Sequence, residues 1–150
     1  VAFGPRNEHL DEHEVRARVE EALEMVGIPQ LKDRAPYKMS GGEKRAAAIA
    51  SVLSMKPDVL IMDEPTSELD PKARRRLINF LKGLRHTKII TSHDLDMIME
   101  TCDRVIVLKD GEVAANGATP EVLTNGELLD QCGLEVPLSL QKCPVCGIKK

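Results

Sequence analysis

Two stretches of sequence decide the fold of this chain: MSGGEKR at residues 39–45 and VLIMDEPTS at residues 59–67. The first places a Ser-Gly-Gly turn before an Ala-rich apolar segment, a pattern that predicts the N-terminus of a helix. The second is an unbroken apolar run that ends in two adjacent carboxylates, and it predicts a strand covered on both faces. A further apolar strand ends at a histidine in IITSHD, residues 89–94. Polar residues directly after buried segments are therefore the first candidates for a functional site.

The rest of the pattern alternates helices with strands, which favours an α/β fold with a mostly parallel sheet and right-handed crossovers. Asp110-Gly111 predicts a tight turn, and with it an antiparallel C-terminal hairpin at one edge of that sheet. The predicted helices cover residues 11–27, 41–56, 71–84 and 94–101, with a short one opened by Thr119 as cap and Pro120. The predicted strands cover residues 59–62, 87–91, 104–108 and 112–115.

Composition excludes several classes of protein. The chain has 150 residues, 42% of them hydrophobic, and a net charge of −3 with mixed signs, so no nucleic-acid surface is indicated. No apolar run approaches the roughly 18 residues of a membrane span, and no signal-peptide pattern occurs. We expect a soluble protein that acts at a membrane only through a partner. Because the chain starts at Val1, we also expect it to begin inside a longer protein.

Ser40, Gly41 and Gly42 form a candidate anion site. A helix N-terminus presents N–H groups and a partial positive charge, and glycines let an anion approach the backbone closely. A serine hydroxyl adds one more donor. The alternative is a serine N-cap followed by two flexible glycines.

Asp63 and Glu64 are neighbours at a strand end, so their side chains point to opposite faces and should do different work. The alternative is an acidic cap on the strand. His93 on its own would be interpreted as a surface histidine.

Together these motifs resemble the C-terminal half of an ABC-transporter ATPase, a P-loop NTPase-like cassette. The resemblance implies that Ser40, Gly41 and Gly42, with Glu43 beside them, reach the γ-phosphate of ATP held by a second cassette in a head-to-tail dimer. Many members of the family have Gln where this chain has Glu43.

The same resemblance implies roles for the strand-end residues. Asp63 is similar to the aspartate that holds Mg²⁺ through water, and Glu64 to the catalytic base. His93 resembles the switch histidine that contacts the γ-phosphate. SELD at residues 67–70 resembles the loop that lines the dimer seam, and Asp70 takes part in that site. Glu68 departs from the usual Gly, so we expect a local turn that avoids positive φ.

The resemblance also divides the chain. Residues 1–56 are predicted to form the helical subdomain, residues 57–134 the C-terminal part of the catalytic α/β core, and residues 135–150 a Cys-containing tail. No GxxxxGK[ST] sequence occurs in the 150 residues, so the phosphate-binding loop is missing from them. We expect these residues alone neither to bind ATP tightly nor to hydrolyse it, and the intact protein to do both.

The function implied is the ATP-binding subunit of an importer for cobalt, nickel or a vitamin, peripheral on the cytoplasmic face of the membrane and joined to a transmembrane permease subunit. Two alternatives remain: a non-transport ABC ATPase, and a degenerate cassette that only binds a partner.

The tail contains Cys143 and Cys146 in CPVCG, which looks like half of a zinc knuckle. A structural Zn²⁺ takes four ligands, so we expect a full site to need a second chain, residues beyond Lys150 or a distant cysteine such as Cys132. An incidental tail and a redox-active pair are the alternatives.

Overall fold

The computed structural model describes residues 1–141, so the predicted zinc ligands Cys143 and Cys146 lie outside the described residues. The chain divides between Thr91 and Ser92 into two compact units, which are described separately. The subdomain boundaries predicted at residues 56 and 134 stay predictions.

The first unit combines helices with a parallel pair of strands. Its helix α2 begins after Asp11, whose carboxylate accepts hydrogen bonds from the N–H groups of His13 and Glu14 at 2.9 Å each. The helix ends before Gly27, whose φ of +74° is the left-handed conformation that glycine adopts without strain. The elements are α1 Phe3–Asn7, α2 Glu12–Met25, α3 Gly41–Leu53, β1 Val59–Asp63, α4 Pro71–Gly83 and β2 Thr87–Thr91, with 3-10 turns at Pro29–Leu31 and Pro36–Lys38.

Strands β1 and β2 pair in parallel, with Val59 opposite Thr87 and Asp63 opposite Thr91. Successive side chains of a strand point to opposite faces, and only one face of this pair is buried. Leu60 is 2% exposed, whereas Ile61 is 70% and Ile89 53% exposed. The expectation of a strand covered on both faces is therefore wrong for the described chain, because residues 1–141 supply cover for one face only.

Up to residue 141, the second unit contains a hairpin and three short helices. Asp110 and Gly111 both have positive φ, 51° and 81°, which is the two-residue turn that their sequence predicts. The hairpin forms a two-stranded sheet of its own. Its predicted place at the edge of the parallel sheet stays a prediction. The elements are α5 Leu95–Thr101, β3 Arg104–Lys109, β4 Glu112–Ala118, α6 Thr119–Leu123 and α7 Gly126–Gln131.

Local details differ from the sequence expectations at two helix ends. Helix α3 ends at Leu53, three residues earlier than predicted, and Lys56 then takes a positive φ of 50°. Thr119 was expected to cap α6, but Ala118 occupies the cap position and Thr119 is buried within the helix. The alternation of strands and helices in the predicted order confirms the α/β fold.

The assignment of one exposed and one buried face to the parallel pair of strands can be tested in this 150-residue chain. We expect Ile61→Thr to lower aggregation, measured by light scattering, because it removes an exposed apolar side chain from a strand. Its free energy of unfolding should stay within about 0.5 kcal/mol of wild type. The matched variant Leu60→Ala, on the buried face, should cost about 2–5 kcal/mol. Equal destabilisation by the two variants would contradict the assignment of faces.

Candidate functional site

The Ser-Gly-Gly turn begins helix α3 with a reciprocal capping box. The hydroxyl of Ser40 accepts a hydrogen bond from the N–H of Glu43 at 3.3 Å, and the carboxylate of Glu43 accepts one from the N–H of Ser40 at 2.7 Å. Accepting a bond leaves the hydroxyl hydrogen of Ser40 able to donate to an anion. The capping role and the predicted anion-binding role of Ser40 are therefore compatible.

The two glycines of this turn have different environments. A Cβ placed on Gly41 would meet nothing within 4 Å, so this position faces open space. A Cβ on Gly42 would lie 2.9 Å from the Cβ of Ala73, in the first turn of α4. Gly42 is thus needed for close packing of the two helices, whereas Gly41 keeps the approach to the helix N-terminus open.

Glu43 carries the electrostatics of the turn. The hydrogen bond from the backbone N–H of Ser40 is the largest cause that holds the pKa of Glu43 below its ordinary value, and the positive charges of Arg34 and Arg76 act in the same direction. The Glu43 carboxylate and the Arg34 guanidinium are 3.7 Å apart. The ionised form of the carboxylate is therefore favoured at the start of α3.

Strand β1 delivers the two predicted carboxylates to its C-terminal end. Asp63 is exposed and accepts a hydrogen bond from the hydroxyl of Thr91, which lies opposite it in the parallel register. Glu64 leaves the strand with φ of +42°, and its N–H donates to the carbonyl of Thr91 at 2.9 Å. A positive φ costs a non-glycine residue free energy, and such strain clusters at functional sites.

The segment after Glu64 folds back as a tight turn. The N–H and the hydroxyl of Ser67 both donate to the carbonyl of Glu64, at 3.1 and 2.9 Å. Glu68 has φ of +59°, so the expectation that this turn avoids positive φ is wrong. The turn keeps the left-handed geometry that glycine adopts without strain, and a glutamate accepts it here.

Asp70 closes this turn and begins α4. Its carboxylate accepts hydrogen bonds from the N–H groups of Lys72 at 3.0 Å and Ala73 at 2.9 Å. The bond from Ala73 is the largest cause that lowers the pKa of Asp70. Asp70 thus has a structural role as a helix cap. Its predicted place in a nucleotide site stays a prediction.

His93 belongs to the second unit, in the loop before α5, and is exposed. Its carbonyl accepts a hydrogen bond from the N–H of Leu95 at 3.1 Å. The next residue, Asp94, caps α5 by accepting from the N–H of Met97 at 3.1 Å. The loop that carries His93 is therefore fixed at the start of a helix.

The first unit brings the Ser-Gly-Gly turn and the turn after Glu64 together. Both contribute to a groove of about 130 Å³, lined among others by Gly42, Glu43, Arg45, Leu69, Ala73 and Arg76. Arg45 lines this groove, and one of its terminal nitrogens donates to the hydroxyl of Ser67 at 3.0 Å. The sequence patterns assigned no role to Arg45 or to Thr91. Pairing the ends of the two predicted strands would have placed Thr91 opposite Asp63, and this is the signal that could have indicated Thr91 as its hydrogen-bond partner.

The residues present fit a Mg²⁺–ATP site only in part. Asp63 is an exposed strand-end carboxylate with a hydroxyl partner, a donor set of hard oxygens that suits Mg²⁺. Among residues 1–141 no group of three or more His, Cys, Asp or Glu side chains could hold a metal by itself. Within the same range no helix is long and apolar enough to cross a membrane.

Comparison with known proteins agrees with this geometry. The family described as ABC transporter matches residues 3–67. A protein of Geobacter sulfurreducens named "Putative ABC transporter ATP-binding protein" is 59% identical over 98% of this chain and 59% of its own length. The energy-coupling factor transporter ATP-binding protein EcfA of Methanoculleus marisnigri is 45% identical over 91% of this chain and 51% of its own length.

Among solved structures, cbiO1 from Clostridium perfringens, part of the ABC transporter complex cbiONQ, has a TM-score of 0.75 at 42% identity. The match covers 87% of this chain and 53% of that one. The fold is that of an ATP-binding cassette. The comparisons support an ABC transporter ATP-binding domain. The chain spans about half to three fifths of the length of the curated relatives it matches.

The glycines of the turn can be tested by stability. Gly42→Ala should destabilise the fold by about 1–3 kcal/mol, because the new methyl group overlaps Ala73. Gly41→Ala should change the free energy of unfolding by no more than about 1 kcal/mol, because alanine favours the helix and its methyl group meets open space. Denaturant unfolding measures both. A Gly41 variant as unstable as the Gly42 variant would contradict this packing.

The lowered pKa of Glu43 leads to a test by pH. A folded-state pKa below the ordinary 4.5 means that the ionised carboxylate stabilises the fold above that pH, and that the contribution is lost as pH falls through the folded pKa. Glu43→Gln should therefore be less stable than wild type at pH 7. The difference should shrink below pH 4.5.

Thermal unfolding across this range measures the effect. Glu24→Gln, on the exposed surface of α2, is the control for removal of a carboxylate. A Glu43→Gln difference that persists unchanged in acid would contradict the role of the charge.

Proposed function

We propose that the protein containing this chain is the ATP-binding and ATP-hydrolysing subunit of an ABC importer. The observation that carries the proposal is the pair of carboxylates at the end of β1, in the same compact unit as the capped Ser-Gly-Gly N-terminus of α3. The names of the relatives support it, since one is an energy-coupling factor transporter ATP-binding protein and another belongs to an ABC transporter complex.

Each motif has a separate task in this proposal. The N-terminus of α3 binds the γ-phosphate of ATP held by a second cassette, through Ser40, Gly41 and Gly42 with Glu43 beside them. The partial positive charge of the helix end favours that anion. Gly41 leaves the surface bare, so an oxygen can approach the backbone. The Ser-Gly-Gly turn thus contributes an unobstructed backbone surface as well as the partial positive charge of the helix N-terminus.

Glu64 acts as the general base. A carboxylate that orients and polarises water toward a phosphorus atom needs a fixed position. The backbone of Glu64 is fixed by three hydrogen bonds, one from its own N–H and two accepted by its carbonyl. Asp63 would hold Mg²⁺, which supplies neutralisation of the phosphate charge when bound. His93 contacts the γ-phosphate, and Asp70 lines the dimer seam.

The wider assembly follows from the same proposal. Two cassettes pair head to tail, and a transmembrane permease subunit anchors them as peripheral proteins on the cytoplasmic face of the membrane. A metal ion such as cobalt or nickel, or a vitamin, is the cargo. The names of EcfA and cbiO1 support this class of importer. Zn²⁺ at Cys143 and Cys146 is a separate proposal, supported only by the CPVCG spacing.

The deciding experiment measures ATP hydrolysis by the full-length protein that contains this chain, beside its Glu64→Gln variant. We expect hydrolysis in the first and a loss of at least about 100-fold in kcat in the second, with ATP still bound and dimers trapped. Because glutamine has nearly the same size as glutamate and is also polar, the substitution removes the charge with little effect on folding.

Other outcomes favour the alternatives. Hydrolysis that needs no membrane partner and is unchanged by one would favour a non-transport ATPase. ATP binding without hydrolysis, with or without a permease subunit, would favour a degenerate cassette. The 150 residues by themselves should neither hydrolyse ATP nor bind it tightly.

A further inference from the structure

A chain of hydrogen bonds links helix α3 to the backbone of Glu64. One terminal nitrogen of Arg45 donates to the hydroxyl of Ser67 at 3.0 Å and lies 3.5 Å from the carbonyl oxygen of the same residue. That hydroxyl donates in turn to the carbonyl of Glu64 at 2.9 Å. All of these bonds are partly buried, so water competes with them less than at an open surface.

The chain ends at a strained residue. Glu64 has φ of +42°, a conformation that a glutamate keeps only when its surroundings over-determine it. Two donors from Ser67 on the Glu64 carbonyl, and one acceptor at Thr91 for the Glu64 N–H, are such surroundings. Arg45 orients the Ser67 hydroxyl, because a hydroxyl that accepts from a guanidinium directs its own hydrogen elsewhere.

Arg45 also belongs to the helix whose first residues form the Ser-Gly-Gly turn. It lies in the second turn of α3, five residues after the Ser40 cap. A rigid helix therefore joins the proposed γ-phosphate contact to the Arg45 guanidinium. A charged donor gives a stronger hydrogen bond than a neutral one, which makes arginine suited to holding a turn in place.

We propose that Arg45 is a positioning residue, which acts through Ser67 to hold the backbone of Glu64 in its left-handed conformation and so fixes the position of the general base. The inference rests on the proposed function of Glu64. It assigns no contact between Arg45 and ATP. Its expected signature is a lower rate of the chemical step with substrate affinity unchanged.

The test uses the full-length protein with Arg45→Met, Ser67→Ala, Ser67→Thr and the double variant. We expect Arg45→Met and Ser67→Ala each to lower kcat for ATP hydrolysis about tenfold or more, because small displacements of a catalytic group are costly. The KM for ATP should change less than about twofold. Ser67→Thr keeps the hydroxyl and should restore most of the rate.

The kcat of the double variant tests whether Arg45 acts on Glu64 through Ser67. If Arg45 acts through Ser67, the double variant should be no slower than the worse single variant, within about twofold. Arg16→Met, an identical change on the exposed surface of α2, is the control and should hydrolyse ATP like wild type. Thermal unfolding should show each variant folded at the assay temperature.

The outcomes separate the two proposals. Arg45→Met at the wild-type rate, a change confined to KM, or losses that multiply in the double variant would each overturn the positioning role while Glu64→Gln remains inactive. Wild-type protein without ATP hydrolysis, or a fully active Glu64→Gln variant, would instead reject the proposed function, and with it this inference.

Discussion

The sharp reversal of the chain at Glu64 is the constraint on which the described site depends. The strand must end beside Thr91 and the next helix must begin at Pro71, so a short segment has to turn back within a few residues. Left-handed backbone at Glu64 and Glu68 achieves this, and hydrogen bonds to Thr91 and Ser67 hold the first of them. The exposed carboxylate of Asp63 and the cap at Asp70 lie at the two ends of that turn.

The described site also depends on the close approach of helices α3 and α4. Gly42 has no side chain where Ala73 makes contact, so the N-termini of both helices come together. Each N-terminus is capped by a local side chain, Ser40 with Glu43 in one and Asp70 in the other. The partial positive charges of the two neighbouring helix N-termini favour negative groups. The carboxylates of Glu43 and Asp70 supply such negative charge from the chain itself.

Much of this arrangement could be predicted from sequence, because it depends on local chemistry. Strand Thr87–Thr91 has the predicted bounds, and the turn at Asp110 and Gly111 has the backbone that its residues favour. The order of motifs identified the family. The position of His93 before a helix also agrees with the expectation from its sequence.

The rest depends on contacts between distant segments. A run of apolar residues such as 59–62 looks the same whether one face or both faces are covered, so the exposure of Ile61 could not be read from it. The absence of glycine at Glu68 suggested ordinary backbone, but hydrogen bonds across the turn decide its φ. Arg45 is 22 residues from Ser67 in sequence, and no local pattern connects them.

The open face of the parallel pair links folding to assembly. Val59, Ile61 and Ile89 form an apolar surface of the kind that chaperones and proteases recognise in unfinished proteins. Whatever segment covers these side chains therefore sets the lifetime of the unit as well as its stability. While these side chains stay exposed, proteolysis competes with folding as well as aggregation does.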